Sequence, residues 1–171
     1  DPEARVALGR YLLLHGADPK RVLDRFYDPV MKQNPDLVDA FHAAAELALD
    51  KQDAALAADT LRAAPKTAAE DPTHHLLLAR ALAEGDRPGS AAALDQALKL
   101  NPNFVAALLM LVDGLIDRER YDEAARTLDR IAEVNPREPL AWAHRAVLAH
   151  LRSDPEGEEA ARRKALEPWP G

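Results

Sequence analysis

The chain has 171 residues, of which 47% are hydrophobic and only 5% are aromatic. Much of the apolar content must therefore be Ala and Leu, which is typical of closely packed helices and unfavourable for a β protein. Its 22 basic and 29 acidic side chains leave a net charge of -7, which argues against nucleic acid or an anionic membrane as the main partner.

The sequence also limits the compartment and the chemistry. Its longest apolar run, from Phe104 to Val112, is far too short to cross a bilayer, so a soluble protein is expected, either cytoplasmic or periplasmic. The sequence has no cysteine, which excludes disulfides, thiolate nucleophiles and Cys-based zinc sites. Because it begins at Asp1, we expect it to be a piece of a longer protein.

Proline marks the boundaries of the predicted elements. Asp or Asn followed by Pro supplies an N-cap residue and a proline that suits the first helical position, and eight of the thirteen prolines follow Asp or Asn. Between these pairs, apolar residues recur at helical spacing. This pattern predicts ten short helices, near residues 3–15, 18–27, 36–50, 53–64, 73–84, 88–100, 104–117, 121–134, 138–151 and 155–166. Pro29 is expected to end the second helix early.

The predicted helices alternate with short connections, which force neighbouring helices to lie antiparallel. The pairs Asn101-Pro102 and Asn135-Pro136 are 34 residues apart, and the chain length is close to five such periods. Residues 65–72 form the longest irregular link and indicate a small insertion. The sequence therefore predicts an all-α row of helix hairpins with an internal repeat.

Residues 105–138 carry the clearest copy of the repeat. Its first helix has apolar residues at Leu108, Leu111, Val112 and Leu115, and its second helix opens with Tyr121-Asp122-Glu123-Ala124 and continues with Leu128, Ile131 and Pro136. This pattern resembles the tetratricopeptide repeat (TPR) family. The resemblance extends over nearly the whole chain and implies a single right-handed superhelical solenoid over 1–171, with repeats near 2–36, 37–70, 71–104, 105–138 and 139–168.

In this family the first helices of the repeats line a concave groove that usually binds peptides. The resemblance therefore implies a peptide-binding groove at Asp39, His42, Glu46, Asp50, His75, Leu109, Asp113, Ile116, Asp117, Val147 and His150. Residues 37–71 contain three basic and seven acidic side chains, a net charge of -4, and residues 105–138 contain five and eight, a net charge of -3. We expect a protein or peptide partner with basic and apolar residues.

No catalytic pattern is visible, so a non-catalytic protein–protein interaction module without cofactor or metal is predicted. Ser90 and Ser153 stand at helix starts without a base beside them, and neither a phosphate-binding glycine pattern nor His-Glu-x-x-His occurs.

Two alternative functions stay open. The ending Ala165-Leu166 to Trp169-Pro170-Gly171 weakly resembles a junction in bacterial proteins that join TPR arrays to a metallopeptidase-like domain, so the chain would be a substrate-recruiting or regulatory arm of a larger multidomain enzyme. In this context Trp169 either folds back over Leu166 or marks the entry to a further element. Alternatively, the terminal repeats stack on another copy and form a self-assembly scaffold, a homo-oligomer.

Overall fold

A computed structural model describes residues 1–167, and no strand occurs in that part of the chain. The predicted all-α fold is therefore confirmed. The interpretations of Trp169 fall outside the described residues. Within them, every helix is too short or too polar to cross a membrane.

The chain divides into two compact units, Asp1–Leu100 and Asn101–Gly171, here called unit 1 and unit 2. Unit 1 contains α1 (Pro2–Leu14), α2 (Pro19–Val22), a π-helical segment (Leu23–Tyr27), α3 (Asp28–Gln33), α4 (Val38–Asp50), α5 (Ala54–Arg62), a 3₁₀ segment (Lys66–Glu70), α6 (Pro72–Leu82) and α7 (Arg87–Leu100). Unit 2 contains α8 (Val105–Ile116), α9 (Tyr121–Val134), α10 (Pro139–Leu151) and α11 (Pro155–Leu166). All but the second of the predicted helices agree with these bounds to within two residues.

Asp-Pro and Asn-Pro pairs have different roles in the structure. Asp1, Asp18, Asp71 and Asp154 are N-caps whose carboxylates accept a backbone N–H of the first turn, and the following proline begins the helix. The Asn-Pro pairs instead lie in turns ahead of the helix: Leu37, Phe104 and Glu138 each donate a backbone N–H to the carbonyl of the Asn three residues earlier.

The second helical segment corrects the expectation that Pro29 ends it early. The helix widens into the π-helical segment Leu23–Tyr27, in which the N–H of Asp28 bonds the carbonyl of Leu23, and then continues through Pro29 to Gln33. Proline has no N–H to donate, and a wider turn is one way for a helix to tolerate this loss. The segment also places Tyr27 fully inside unit 1.

Four of the helix hairpins close through the same turn. The backbone N–H groups of Ala17, Asp53, Arg120 and Asp154 donate to the carbonyls of Leu12, Ala48, Leu115 and Ala149, each five residues earlier. The residue before each donor has a positive φ: 80° at Gly16, 60° at Gln52, 57° at Glu119 and 57° at Ser153. This arrangement ends a helix with a left-handed residue and satisfies its last carbonyl groups. It reverses the chain within a few residues.

Two core clusters of unit 1 join successive hairpins, and alanines of α4 contribute to both. In one cluster Ala40, Ala43, Ala44 and Leu47 of α4 pack with Val6, Val22, Tyr27 and Val30 from the preceding segments. In a second cluster Leu77 and Ala81 of α6 pack against Ala45, Ala48, Ala57, Ala58 and Leu61 of α4 and α5. Alanine brings the helix backbones close together, while Leu and Val fill the space between them.

Gly9 is required by the packing of Tyr27. A Cβ atom at Gly9 would lie 2.5 Å from Cε1 of the Tyr27 ring, and that ring is fully buried. We predict that Gly9→Ala lowers the free energy of unfolding of unit 1 by about 2 kcal/mol, because the ring must move inside a close-packed core. Urea unfolding followed by circular dichroism measures this effect.

Gly114→Ala is the matched control. Gly114 also lies inside a helix, but its nearest neighbour is a flexible arginine tip, Nη1 of Arg118, at 4.0 Å. Alanine there should stabilise the protein by up to about 1 kcal/mol, since glycine is a poor helix former. Equal effects of the two substitutions would contradict the packing argument.

Candidate functional site

Arg10 of α1 holds two of the predicted groove acids. Its Nη1 donates to Oδ2 of Asp39 at 2.9 Å, and its Nη2 lies 2.8 Å from Oδ1 of the same carboxylate. The same Nη2 donates to Oε2 of Glu46 at 3.4 Å. These side chains are all partly exposed. The arginine therefore joins α1 to α4 and neutralises part of the acidic surface that the sequence predicts.

His42 and His74 form a buried pair between α4 and α6. The sequence predicts His42 on the groove, but the structure leaves only 5% of it exposed, because its ring packs 5.6 Å from that of His74. Nε2 of His42 and Nδ1 of His74 are buried without a hydrogen-bond partner among the described residues. Nδ1 of His42 lies 3.8 Å from Oδ2 of Asp71, the N-cap of α6. His75 is half-buried, and its Nε2 is 2.9 Å from the carbonyl oxygen of Ala69.

Burial favours the neutral form of both buried imidazoles. Burial, together with repulsion from the nearby His42 and His75 and against a smaller opposing effect of Asp71, lowers the pKa of His74 to about 4. Burial also lowers the pKa of His42, opposed chiefly by the carboxylate of Asp71. Below pH 6.5 the unfolded chain therefore binds protons that the folded protein does not, so stability falls as the pH falls from about 6.5 to 4.

We predict that His74→Gln removes much of this acid sensitivity. Between pH 7 and pH 4 the variant should lose about 2 kcal/mol less free energy of unfolding than the original chain, because one neutral buried imidazole is no longer there to titrate. Urea unfolding at a series of pH values measures the difference. His75→Gln, at the neighbouring half-buried position, is the control: it removes only the repulsion of His75 on His74 and should change the pH profile much less than His74→Gln does. A His74→Gln profile identical to the original would contradict the assignment.

In unit 2, Asp113 is also paired with a neighbouring first helix. Its Oδ1 lies 2.6 Å from Nε2 of His144 on α10, and Nδ1 of His144 lies 2.6 Å from the carbonyl oxygen of Leu140. Arg145 of α10 and Arg152, the residue that follows α10, bind Asp129 and Asp122 of α9 at 2.8 and 2.7 Å. Sequence analysis missed these contacts. In the sequence, the two partners of each contact are visible only as polar residues of complementary type that lie sixteen to thirty-one residues apart.

Val147 and His150 are brought together in a cleft of about 420 Å³ on the outer face of α10 and α11. Leu151 and Leu166 line the same cleft and, like Val147, are exposed. At the rim, Glu158 lies 3.1 Å from Nδ1 of His150 and 3.8 Å from Nη1 of Arg162. The cleft is thus apolar at its floor and carries an internally paired carboxylate at its edge.

The remaining predicted groove residues differ in accessibility. Leu109 is buried in unit 2 and Ile116 is half-buried. Asp50 and Asp117 lie at the C-terminal ends of α4 and α8 and are exposed. Among residues 1–167, neither has a cationic side chain within ion-pair distance, in contrast to Asp39, Glu46 and Asp113.

A second cleft of unit 2, of about 290 Å³, has a different character. Trp142 lines it, with Nζ of Lys164 at 4.1 Å and Cζ of Arg145 at 5.2 Å from its ring centroid. The indole N–H donates to the carbonyl of Pro136 at 2.9 Å. These are cation–π contacts, and they hold the tryptophan between α10 and α11. Within the described residues, no group of three His, Cys, Asp or Glu side chains has the geometry to hold a metal ion.

Comparison with known proteins identifies the repeat. Residues 81–148 match a protein-family model, TPR_19, described as a tetratricopeptide repeat. A comparison with curated protein sequences gives no match.

Solved structures share the fold over most of the chain. A crystal structure of TTC0263, a thermophilic TPR protein of Thermus thermophilus, superposes with a TM-score of 0.80 at 18% identity, covering 98% of this chain and 91% of that one. A crystal structure of MamA gives 0.70 at 19% identity, covering 93% and 92%. YrrB, described as a TPR protein with an unusual peptide-binding site, gives 0.63 at 20% identity, covering 99% and 87%.

The resemblance that the sequence indicates is therefore confirmed. Residues 81–148 match the tetratricopeptide repeat model, and the helix hairpins of the described chain have the fold of tetratricopeptide repeat proteins.

Proposed function

We propose that the chain is a non-catalytic protein–protein interaction module that binds a polypeptide segment on the exposed face of the first helices within a unit, α1, α4 and α6 in unit 1 or α8 and α10 in unit 2. The match of residues 81–148 to the TPR family model supports this function. The peptide-binding site named for YrrB, which has the same fold, is consistent with it. Hairpins that are already packed offer a surface formed before binding, so most of the ordering cost falls on the ligand.

The observation that carries the proposal is the presence of exposed, unneutralised carboxylates at the ends of two first helices. Asp50 and Asp117 have no cationic partner among the described residues. Ile116, one residue before Asp117, adds an apolar group beside one of them. A segment with Lys or Arg next to an apolar side chain complements this arrangement in both charge and hydrophobicity.

The paired acids contribute in a different way. Asp39 and Glu46 are available to a basic ligand only when the ligand displaces Arg10, and Asp113 only when it displaces His144. These pairs are exposed enough for exchange to cost little, since exposed ion pairs contribute at most about 1 kcal/mol. Arg10 therefore acts as an intramolecular competitor for basic ligands on unit 1.

Charge reversal at Asp117 tests the proposal. Peptides selected for binding from a random display library should be enriched in Lys or Arg beside Leu, Ile or Phe, and Asp117→Lys should weaken the best of them at least about tenfold by fluorescence anisotropy. Glu133→Lys makes the same charge change at an exposed site on α9 and should leave the affinity within about twofold. Selection of acidic peptides, or equal losses in both variants, would contradict the proposed site.

A second prediction concerns Arg10. Arg10→Gln should tighten the binding of a basic peptide on unit 1 several-fold, because it frees Asp39 and Glu46, while lowering stability by about 1 kcal/mol. Arg80→Gln removes the same charge from another first helix of unit 1, where Arg80 is exposed and no carboxylate pairs with it among the described residues. Isothermal titration calorimetry with the selected peptide should show tighter binding for Arg10→Gln alone. Equal tightening by both variants would indicate a general charge effect instead.

A further inference from the structure

The shared hairpin turn gives α1, α4, α8 and α10 a common register. Because Ala17, Asp53 and Asp154 donate equivalent turn hydrogen bonds, a residue of α1 corresponds to the residue 36 positions later in α4 and 137 positions later in α10. The N-cap residues of these helices, Asp1, Leu37 and Glu138, have the same spacings. Equivalent positions can therefore be compared directly.

A first helix that follows another hairpin of the same unit packs one of its faces on that hairpin. We call this face, and the residues at equivalent positions of α1, the packing face. In α4 it consists of Ala40, Ala43, Ala44 and Leu47, which are buried in the core cluster with Val6 and Tyr27. In α10 the equivalent residues are Ala141, His144, Arg145 and Leu148. Ala141 and Leu148 are buried, whereas His144 and Arg145 bind acids of α8 and α9.

The packing face of α1 has the same apolar character, but no other helix of residues 1–167 covers it; its Tyr11 ring contacts the ring of His15 at the end of the same helix, at 4.2 Å. It consists of Ala4, Ala7, Leu8 and Tyr11, all exposed, with 46% of Leu8 and 56% of Tyr11 accessible. Leu14, further along the helix, is 85% exposed. The opposite side of α1 is already used, since Val6 and Gly9 are buried against the rest of unit 1. A helix that is apolar on both sides is expected to be covered on both.

The complementary surface lies on the last hairpin of unit 2. The cleft of about 420 Å³ on the outer side of α10 and α11, here called the end face, is where a further hairpin would pack. Its apolar residues Val147, Leu151 and Leu166 are 45%, 45% and 63% exposed. Of ten large exposed apolar side chains in the described part of the chain, seven belong to α1, α10 and α11, namely Leu8, Tyr11, Leu14, Leu140, Val147, Leu151 and Leu166.

We propose that the packing face of α1 in one copy of the chain docks on the end face of a second copy, so that copies associate head to tail. Arg120 and Asp154 donate the equivalent turn hydrogen bonds of unit 2, so a residue of α8 or α9 corresponds to the residue 34 positions later in α10 or α11. The contacts within unit 2 therefore indicate which side chains of two copies would meet. The ion pair of Asp122 with Arg152 corresponds to Glu156 of one copy beside His15 of the next. The contact of Asp113 with His144 corresponds to Val147 beside Ala7.

Both corresponding contacts are favourable. The first joins an acid to an imidazole, and the second joins two apolar groups. Tyr11 suits the mixed polarity of the end face, because its ring can cover Val147 and Leu151 while its hydroxyl meets the charged rim at Glu158 and Arg162. A symmetric contact of α1 with α1 would instead leave the end face uncovered. This association does not use Asp50 or Asp117, the two carboxylates on which the proposed peptide site depends.

Complementary blocking variants test the proposal. Variant N carries Leu8→Glu and Tyr11→Glu, and variant C carries Leu151→Glu and Leu166→Glu. All four positions are exposed, so both variants should fold, and their two blocked faces repel each other. In analytical ultracentrifugation the original 18.7 kDa chain should at least double its mean mass as its concentration rises to about 1 mM. Each variant alone should stay at the monomer mass, and an equimolar mixture should form a one-to-one dimer.

The mixture tests the head-to-tail geometry, because variant C supplies an intact packing face of α1 and variant N supplies an intact end face. A control chain with Leu56→Glu and Val134→Glu carries the same charges at exposed apolar sites outside both faces and should associate like the original. A strictly monomeric original chain would overturn the proposal. So would a mixture that stays monomeric, or a variant C that still dimerises by itself, which would indicate a contact of α1 with α1.

Discussion

The packing of each first helix on the preceding hairpin is the constraint on which the rest of each unit depends. A single helix hairpin cannot bury its own apolar residues, so stability comes from neighbours. In unit 1 this contact consists of alanines at Ala40, Ala43 and Ala44 that let the helices approach closely, with Leu47 and Tyr27 filling the remaining space. The positive-φ turn returns the chain within a few residues, and this short return makes such close approach possible.

The same packing decides which charges remain available for a ligand. Residues in or next to the packing face come within reach of the preceding hairpin, and there they form polar contacts: ion pairs of Arg10 with Asp39 and of Arg152 with Asp122, and a hydrogen bond between His144 and Asp113. Acids that look free in the sequence are thus partly neutralised within the fold. Asp50 and Asp117 differ because they lie at the ends of their helices, beyond this contact. The surface is therefore less acidic toward a ligand than its composition indicates.

Local signals in the sequence predict most of the fold. Asp-Pro pairs mark helix starts because the carboxylate caps the helix and proline fits its first turn, and both effects act over three residues. The π-helical segment at Leu23–Tyr27 has no comparable local signal, because it depends on how Tyr27 packs against Gly9 on another helix. Pro29 alone suggests a helix end.

The candidate site is less predictable than the fold for the same reason. The TPR resemblance places residues on the first helices, but burial and pairing depend on side chains about thirty residues away. His42 is buried because His74 lies beside it on the next first helix. Val147 lines a cleft because Leu166 follows on α11. Neither neighbour is apparent from local spacing.

The most direct test of the packing constraint compares one substitution at two equivalent positions. Ala44 and Leu8 occupy the same place on α4 and α1, but Ala44 is 3% exposed and Leu8 is 46% exposed. At low micromolar concentration, urea unfolding should show that Ala44→Glu costs about 3 kcal/mol or more, because it buries an unpaired charge, whereas Leu8→Glu changes stability by no more than about 0.5 kcal/mol. Similar losses at both positions would contradict the account.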